Sequence, residues 1–265
     1  MQNTTFHKAS SAADATAKLA GAEDGAFLAG GQTLIPTMKQ RLAAPSDVVD
    51  ISGIAELKGI TVSGSTVRIG AMTTHAEVAS SAELRGACPS LADLAGHIGD
   101  PAVRHRGTIG GSVANNDPAA DYPAAMLALN ATIKTDKREI AADDFFDGMF
   151  STALEEGEMI VSVSFEAPAK GAYAKFPNPA SRYAMCGVYV AVAGEGVRVA
   201  VTGAGEDGVF RATDMENALD GNFSPDALDS VAVSSDGMLS DIHGDAAYRA
   251  NLVKVMAKRA TAAAN

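Results

Sequence analysis

The chain has no tryptophan, only two cysteines and 5% aromatic residues in 265. Its core must therefore be built from small and aliphatic side chains, and a 47% hydrophobic content supplies enough of them for a globular protein. Cys88 and Cys186 stand far apart, with no CxxC and no Cys/His spacing. A disulfide framework, a structural zinc site and a Cys-ligated iron–sulfur cluster all lack ligands, so the two thiols read as small packed hydrophobes. Basic residues are also in deficit: 21 Lys and Arg against 32 Asp and Glu give a net charge of −11. That balance repels phosphate backbones and argues against nucleic acid as a partner. It does not exclude a bound dinucleotide, because main-chain amides hold phosphate without lysine or arginine. No run reaches the roughly 18 apolar residues of a membrane helix. The start MQNTTFHKAS lacks an apolar stretch behind a basic opening, so a cytoplasmic protein is expected.

Several signatures are missing as well. There is no GxxxxGK[ST], no GxGxxG after the first strand and no GxSxG, which removes Walker-type, Rossmann-type and serine-hydrolase sites. The histidines at 7, 75, 97, 105 and 243 show no metal-ligand spacing and read as structural or exposed. The acid pairs Asp143-Asp144 and Glu155-Glu156 read as solvated turns.

The pattern that is present begins helix, strand, glycine turn, helix, strand over the first 52 residues. Ser10 and Ser11 precede the helical AADATAKLAG, AFLAGG is a strand running into glycines, Pro36 suits the first turn of a helix, and DVVDIS is a strand. STVRIGA reads as a strand and HAEVASSAEL as a helix capped by Thr73 or Thr74. CPSLADLAGHIG is a further helix, and residues 99–123 read as one long functional loop rich in Gly, Pro, Asn and Asp. AAMLALN is helical, while ATIKT and EMIVSVSFE are strands. After Pro168 the pattern changes to two antiparallel strands, YAMCGVYVAVA and GVRVAVTG, about a Gly-Glu-Gly turn. Helices over DMENALDG, over SPDALDSVAV and at the C-terminus follow. A domain boundary is placed near 167.

Two motifs carry chemistry. In Leu28-Ala29-Gly30-Gly31-Gln32-Thr33-Leu34 a strand runs through paired glycines into a helix start, which lets the backbone approach a ligand and offers successive N–H groups to an anion. Alone it is equally an ordinary strand-to-helix turn. Thr108-Ile109-Gly110-Gly111-Ser112, flanked by Arg104, Arg106 and Asp121, repeats the device about 80 residues later. Two such turns point to a ligand with two linked phosphates held between them.

Three segments of the chain carry a family resemblance. AGGQTLIP at 29–36, RHRGTIGGSVANNDPAADYPA at 104–124 and DIHGDAAYR at 241–249 resemble, in that order, the FAD-binding medium subunit of molybdenum hydroxylases of the carbon monoxide dehydrogenase and xanthine dehydrogenase type. The resemblance implies an α+β fold. An FAD-binding domain of the vanillyl-alcohol oxidase (PCMH) type would cover residues 1–167, in subdomains of about 1–55 and 56–167. A small C-terminal domain of antiparallel sheet and helices would cover 168–265. It implies FAD as cofactor, pyrophosphate loops at Ala29 to Thr33 and Thr108 to Ser112, and an adenine-side strand near Ile160. It also puts the family aspartate on Asp121, a lysine able to stabilise charge at the N1–O2 edge of the flavin on Lys175, and an aromatic cover for the ring on Tyr183. Without it, Lys175 reads as a surface lysine and Tyr183 as a half-buried core residue. Thr33 often appears in the family as Ser, Ser112 as Asn, and the Asn115-Asn116 pair as His-Ala, a change that bears on the flavin edge. The implied partners are a molybdopterin-containing large subunit and a 2Fe-2S small subunit, in a dimer of heterotrimers. The rivals are a self-sufficient flavoenzyme of the same fold and a non-catalytic assembly subunit.

Overall fold

Three sheets succeed one another along the chain, described by a computed structural model for residues 3–194 and 196–264. Glu195, the centre of the expected Gly-Glu-Gly turn, lies outside the described residues. The first sheet is parallel: β1 (Thr5–Lys8) and β2 (Gly25–Leu28) flank β3 (Asp47–Asp50), with Thr5 and Gly25 both in register with Asp47. Helices α1 (Ala12–Ala20) and α2 (Leu34–Lys39) make the crossovers. α1 begins where the Ser11 side chain accepts from the Asp14 amide. β1 was not expected from the sequence. Phe6 is exposed and the strand shows no alternation, so only its pairing to β3 defines it.

The second sheet is antiparallel, in the order β4-β5-β8-β6-β7, from β4 (Ile60–Ser63), β5 (Thr66–Gly70), β6 (Thr132–Thr135), β7 (Glu139–Ala141) and β8 (Ile160–Glu166). Six helices intervene between β5 and β6: α3 (His75–Ser80), α4 (Ala82–Ala87), α5 (Pro89–Gly96), α6 (Pro101–Arg104), α7 (Ile109–Asn115) and α8 (Tyr122–Ala128). Thr74 and Glu77 form a reciprocal capping box that starts α3. The helix expected over 75–84 is two helices, because Ser81 adopts an extended backbone and caps α4 through the Leu84 amide. The loop expected over 99–123 holds α6 and α7, so this segment is short helices joined by turns.

The third sheet, β12-β11-β10-β9, is antiparallel, from β9 (Lys170–Pro177), β10 (Ala184–Ala193), β11 (Gly196–Gly205) and β12 (Gly208–Arg211). Helices α9 (Thr213–Gly221) and α10 (Ala246–Ala263) complete it, and residues 224–233 carry only a short 3-10 turn at Pro225–Leu228 where a helix was expected. β10 and β11 are buried on both faces. Val188, Val190, Val199 and Val201 pack on Val253 and Met256 of α10. Tyr189, Ala191 and Ala200 join the core of α5 and α8. Each fully buried valine contributes about 1.5–3 kcal/mol over its exposed state. The fold is thus α+β: parallel and antiparallel sheets with helices form an N-terminal part, and a sheet backed by α10 forms a C-terminal part that shares its core. Cys88 and Cys186 are both buried, in different clusters. Asp143, expected in a solvated turn, is paired with Arg198 and Arg211.

Candidate functional site

Glycine brings the two turns together. A β-carbon on Gly30 would overlap the Arg106 carbonyl group, lying 2.7 Å from its carbon and 2.9 Å from Gly107 Cα. The turn after β2 therefore lies directly on the turn that precedes α7. A β-carbon on Gly111 would sit 3.7 Å from Ala29 Cβ, so the glycine pairs abut. Gly31 has φ +74°, the left-handed region that glycine adopts without strain.

The turns differ in what they offer. Among the described residues, no hydrogen-bond acceptor meets the amides of Gly30, Gly31, Gln32 or Thr33. The second turn was expected to provide the same device, and it does not. The Ile109 amide donates to Thr73 O (3.1 Å), Gly110 to Ala71 O (2.9 Å), Gly111 to Thr108 Oγ1 (3.2 Å) and Ser112 to Thr108 O (3.0 Å). Gly110 is instead required for packing, since its β-carbon would stand 2.8 Å from both Cα and O of Ala71. The first turn supplies bare donors. The second supplies shape and the hydroxyls of Thr108 and Ser112.

These turns line one cleft of about 830 Å³. It falls within the roughly 300–1,000 Å³ of small-molecule sites. Ala29, Gly30, Gly31, Gln32, Thr33, Leu34, Thr108, Gly110, Gly111, Ser112, Asn115, Asp121, Ile160, Lys175 and Tyr183 all border it. Leu28 and Ile109 do not: Leu28 ends β2 and Ile109 is fully buried behind the wall. Part of the lining is apolar, with Phe27, Ala29, Ile51, Met72 and Met159 belonging to one hydrophobic cluster. Another part is polar, around Asp121, Lys175 and Tyr183.

The third sheet positions that polar part. Thr202 Oγ1 donates to the carbonyls of Pro118 (3.0 Å) and Ala120 (2.7 Å), and the Gly203 amide donates to Pro118 O (2.8 Å), fixing the turn that carries Asp121. Asp121 is buried; its carboxylate accepts from Lys175 Nζ (3.0 Å) and Tyr173 Oη (2.5 Å). Burial pushes its carboxyl upward, and the nearby Lys175 ammonium and the Tyr173 hydroxyl oppose that push. Lys175 is not a surface lysine: its side chain is 6% exposed and also donates to His97 O (3.2 Å). Tyr183, which without the family resemblance reads as half-buried core, is 54% exposed at the cleft. A closed turn presents it, in which the Asn178 amide donates to Tyr183 O (2.7 Å) and Asn178 Oδ1 accepts from Ala180 N (2.9 Å). Burial, followed by Asp117 and Asp121, raises its phenol.

His75 and Glu158 are among the lining residues that the sequence does not mark as part of a site. His75, treated as structural, is buried with Nδ1 unpartnered among the described residues, its ring centroid 5.3 Å from that of Tyr122. Burial, then Arg104, brings its pKa down to about 4, so it is neutral at pH 7. Glu158 is held by Arg138 (3.0 Å), Thr135 Oγ1 (2.6 Å) and the Glu155 amide (2.8 Å). The groups that set them apart, Arg104 and Tyr122 for His75 and Arg138 and Thr135 for Glu158, are remote in sequence, so local patterning does not mark either residue.

Bare amides and neutral hydroxyls beside both an apolar and a polar lining fit a dinucleotide cofactor, whose diphosphate joins two different ring systems. The fold and site therefore fit a dinucleotide-binding protein. Residues 2–168 match the family described as the FAD binding domain in molybdopterin dehydrogenase, and the chain belongs to that family. The protein is a flavoprotein subunit of the oxidoreductase class, with FAD as its cofactor. It is 36% identical to the carbon monoxide dehydrogenase medium chain of Hydrogenophaga pseudoflava, covering 98% of this chain and 96% of that one. It is likewise 36% identical to the nicotine 6-hydroxylase medium subunit of Paenarthrobacter nicotinovorans, covering 93% and 92%. A structure of reconstituted CO dehydrogenase from Oligotropha carboxidovorans superposes with a TM-score of 0.91 at 33% identity, over 98% of this chain and 97% of that one. Among the described residues no helix is long and apolar enough to cross a membrane.

Proposed function

We propose that this chain is the FAD-carrying medium subunit of a cytoplasmic molybdenum hydroxylase. It takes electrons from 2Fe-2S clusters on a small subunit and delivers them to an external acceptor. A molybdopterin-containing large subunit oxidises the substrate, and two such heterotrimers associate. The observation that carries this reading is the meeting of the bare amides of Gly30 to Thr33 with the Thr108–Ser112 turn in one cleft. When bound, FAD supplies a redox centre that exchanges electrons with partners of either one- or two-electron capacity.

In this reading the amides of Ala29 to Thr33 bind the diphosphate, and Thr108 and Ser112 add hydroxyl donors. Neutral donors suffice there because oriented amides stabilise an anion without a charged side chain. The adenine end lies along Ile160 and the apolar lining. The flavin ring, whose rim bears polar atoms, lies by Asp121 and Lys175, with Tyr183 over its face and Asn115 nearby. The FAD domain spans 1–167, in subdomains of about 1–55 and 56–167, and the C-terminal domain spans 168–265.

Equal identity to relatives named for carbon monoxide and for nicotine supports a reading in which substrate choice lies on the large subunit. A self-sufficient flavoenzyme is disfavoured, because relatives that match along nearly the whole chain are named as medium chains or as subunits of complexes. The test is the subunit and cofactor inventory of the native complex. One FAD per copy of this chain, with molybdopterin and iron–sulfur clusters on co-purifying chains, is expected. Full substrate turnover by this chain alone would overturn the reading.

A further inference from the structure

Tyr173 and Lys175 are two residues apart on β9, so their side chains leave the same face of the strand. Both end on one carboxylate: Tyr173 Oη on Asp121 Oδ1 at 2.5 Å and Lys175 Nζ on Asp121 Oδ2 at 3.0 Å. The neighbouring strand is cleared to allow this. Gly187 of β10 is the register partner of Lys175, and the end of the Tyr173 side chain lies over it: a β-carbon there would stand 2.8 Å from Tyr173 Cζ and closer still to its hydroxyl. One ammonium already balances the charge of Asp121. The second carboxylate oxygen is nevertheless buried and needs a donor. Tyr173 supplies one without adding charge, and it sets the carboxylate so that Oδ2 faces Lys175. Lys175 borders the cleft, whereas Tyr173 does not.

We propose that Tyr173 is a positioning residue for the electron-transfer site: acting through Asp121, it sets how much of the Lys175 charge is felt at the flavin. The proposal rests on the FAD reading above, with the flavin at the polar lining. The chain of contact runs phenol, carboxylate, ammonium, cleft. With the phenol donating to Oδ1, the carboxylate divides its charge between two partners. Lys175 then keeps an uncancelled share of positive charge, which favours the electron-rich reduced flavin. Without the phenol, the buried carboxylate leans wholly on Lys175 and cancels more of its field. His97, Asp117, Tyr122, Tyr183, Cys186 and Tyr189 are other titratable groups near this cluster.

The test is a spectroelectrochemical titration of the FAD-loaded full chain, with FAD affinity measured separately. Tyr173→Phe is expected to lower the flavin midpoint potential, so that several-fold less flavin is reduced at the wild-type midpoint. FAD affinity should change by less than about twofold. Asp121→Asn, which removes the anion, is expected to raise the potential. Adding Tyr173→Phe to Asp121→Asn should then produce no further shift, because the phenol acts only through the carboxylate. An unchanged or raised potential in Tyr173→Phe overturns the proposal, as does a downward shift that persists in the Asp121→Asn background. If wild-type chain binds FAD and only the potentials fail to move, the FAD reading stands and this inference alone falls. If wild-type chain binds no FAD, both fall.

Discussion

Gly30 rests on the main chain of Arg106, with no room between them for a methyl group. A residue in the turn after β2 thereby fixes the distance to the turn before α7, where Gly30 and Gly107 both line the cleft. Gly30→Ala must push the turns apart at an overpacking cost of about 1–3 kcal/mol. The expected outcome is a loss of FAD affinity of more than about tenfold, measured by fluorescence titration, with secondary structure retained by circular dichroism.

Thr108 has a separable, mechanical role. Its hydroxyl caps α7 by accepting from the Gly111 amide at 3.2 Å. Thr108→Ala should cost about 1 kcal/mol of stability, and Thr108→Ser should restore most of it. Urea denaturation of the three proteins checks this.

Glu158 gives a pH signature. Its pKa is lowered from 4.5 to about 2, chiefly by hydrogen bonding to Arg138. A carboxylate with a depressed folded-state pKa contributes stability above its unfolded pKa, and loses it as pH falls toward the folded value. The contribution is on the order of 2–3 kcal/mol. Glu158→Gln should therefore lower the urea midpoint at pH 7. The gap to wild type should narrow steadily as pH falls from about 4.5 toward 2. A gap that stays constant over that range would show that the ion pair is not its source.

Arg249 explains the C-terminal motif. It is buried on α10, and its guanidinium donates to Met185 O and Gly203 O, both at 2.7 Å, and to Asp241 at 2.6 Å. It ties the 241–244 turn to β10 and β11, and Gly203 in turn holds the Asp121 turn through Pro118. Arg249→Leu should cost about 2 kcal/mol or more, read as a fall in melting temperature. Arg249→Lys should recover only part, because an ammonium cannot reproduce the planar fork.

Much of this was legible in the sequence where a local rule applied. The strand-glycine-helix turn at 28–34, the capping of α3 by Thr74 and the paired strands β10 and β11 each follow from adjacent residue types. Helices α6 and α7 were read as loop because four and seven residues are too few to show a 3.6-residue period, and α7 contains two glycines. Gly110 and Gly111 looked like a second anion nest, but what selects Gly110 is Ala71, a neighbour remote in sequence. The Asp121–Tyr173 bond joins residues 52 apart, so neither the burial of Lys175 nor its partner could be read from β9 alone. Site chemistry was readable as residue type, whereas its wiring is a property of the packed sheets.

The most direct measurement is amide hydrogen exchange of the full chain, stripped of flavin and then with FAD added. The amides of Gly30, Gly31, Gln32 and Thr33 should exchange quickly without FAD and become protected when it binds. Those of Ile109 to Ser112, already bonded to Thr73, Ala71 and Thr108, should change far less. Bound FAD that leaves exchange at 30–33 untouched would contradict a diphosphate held by that turn.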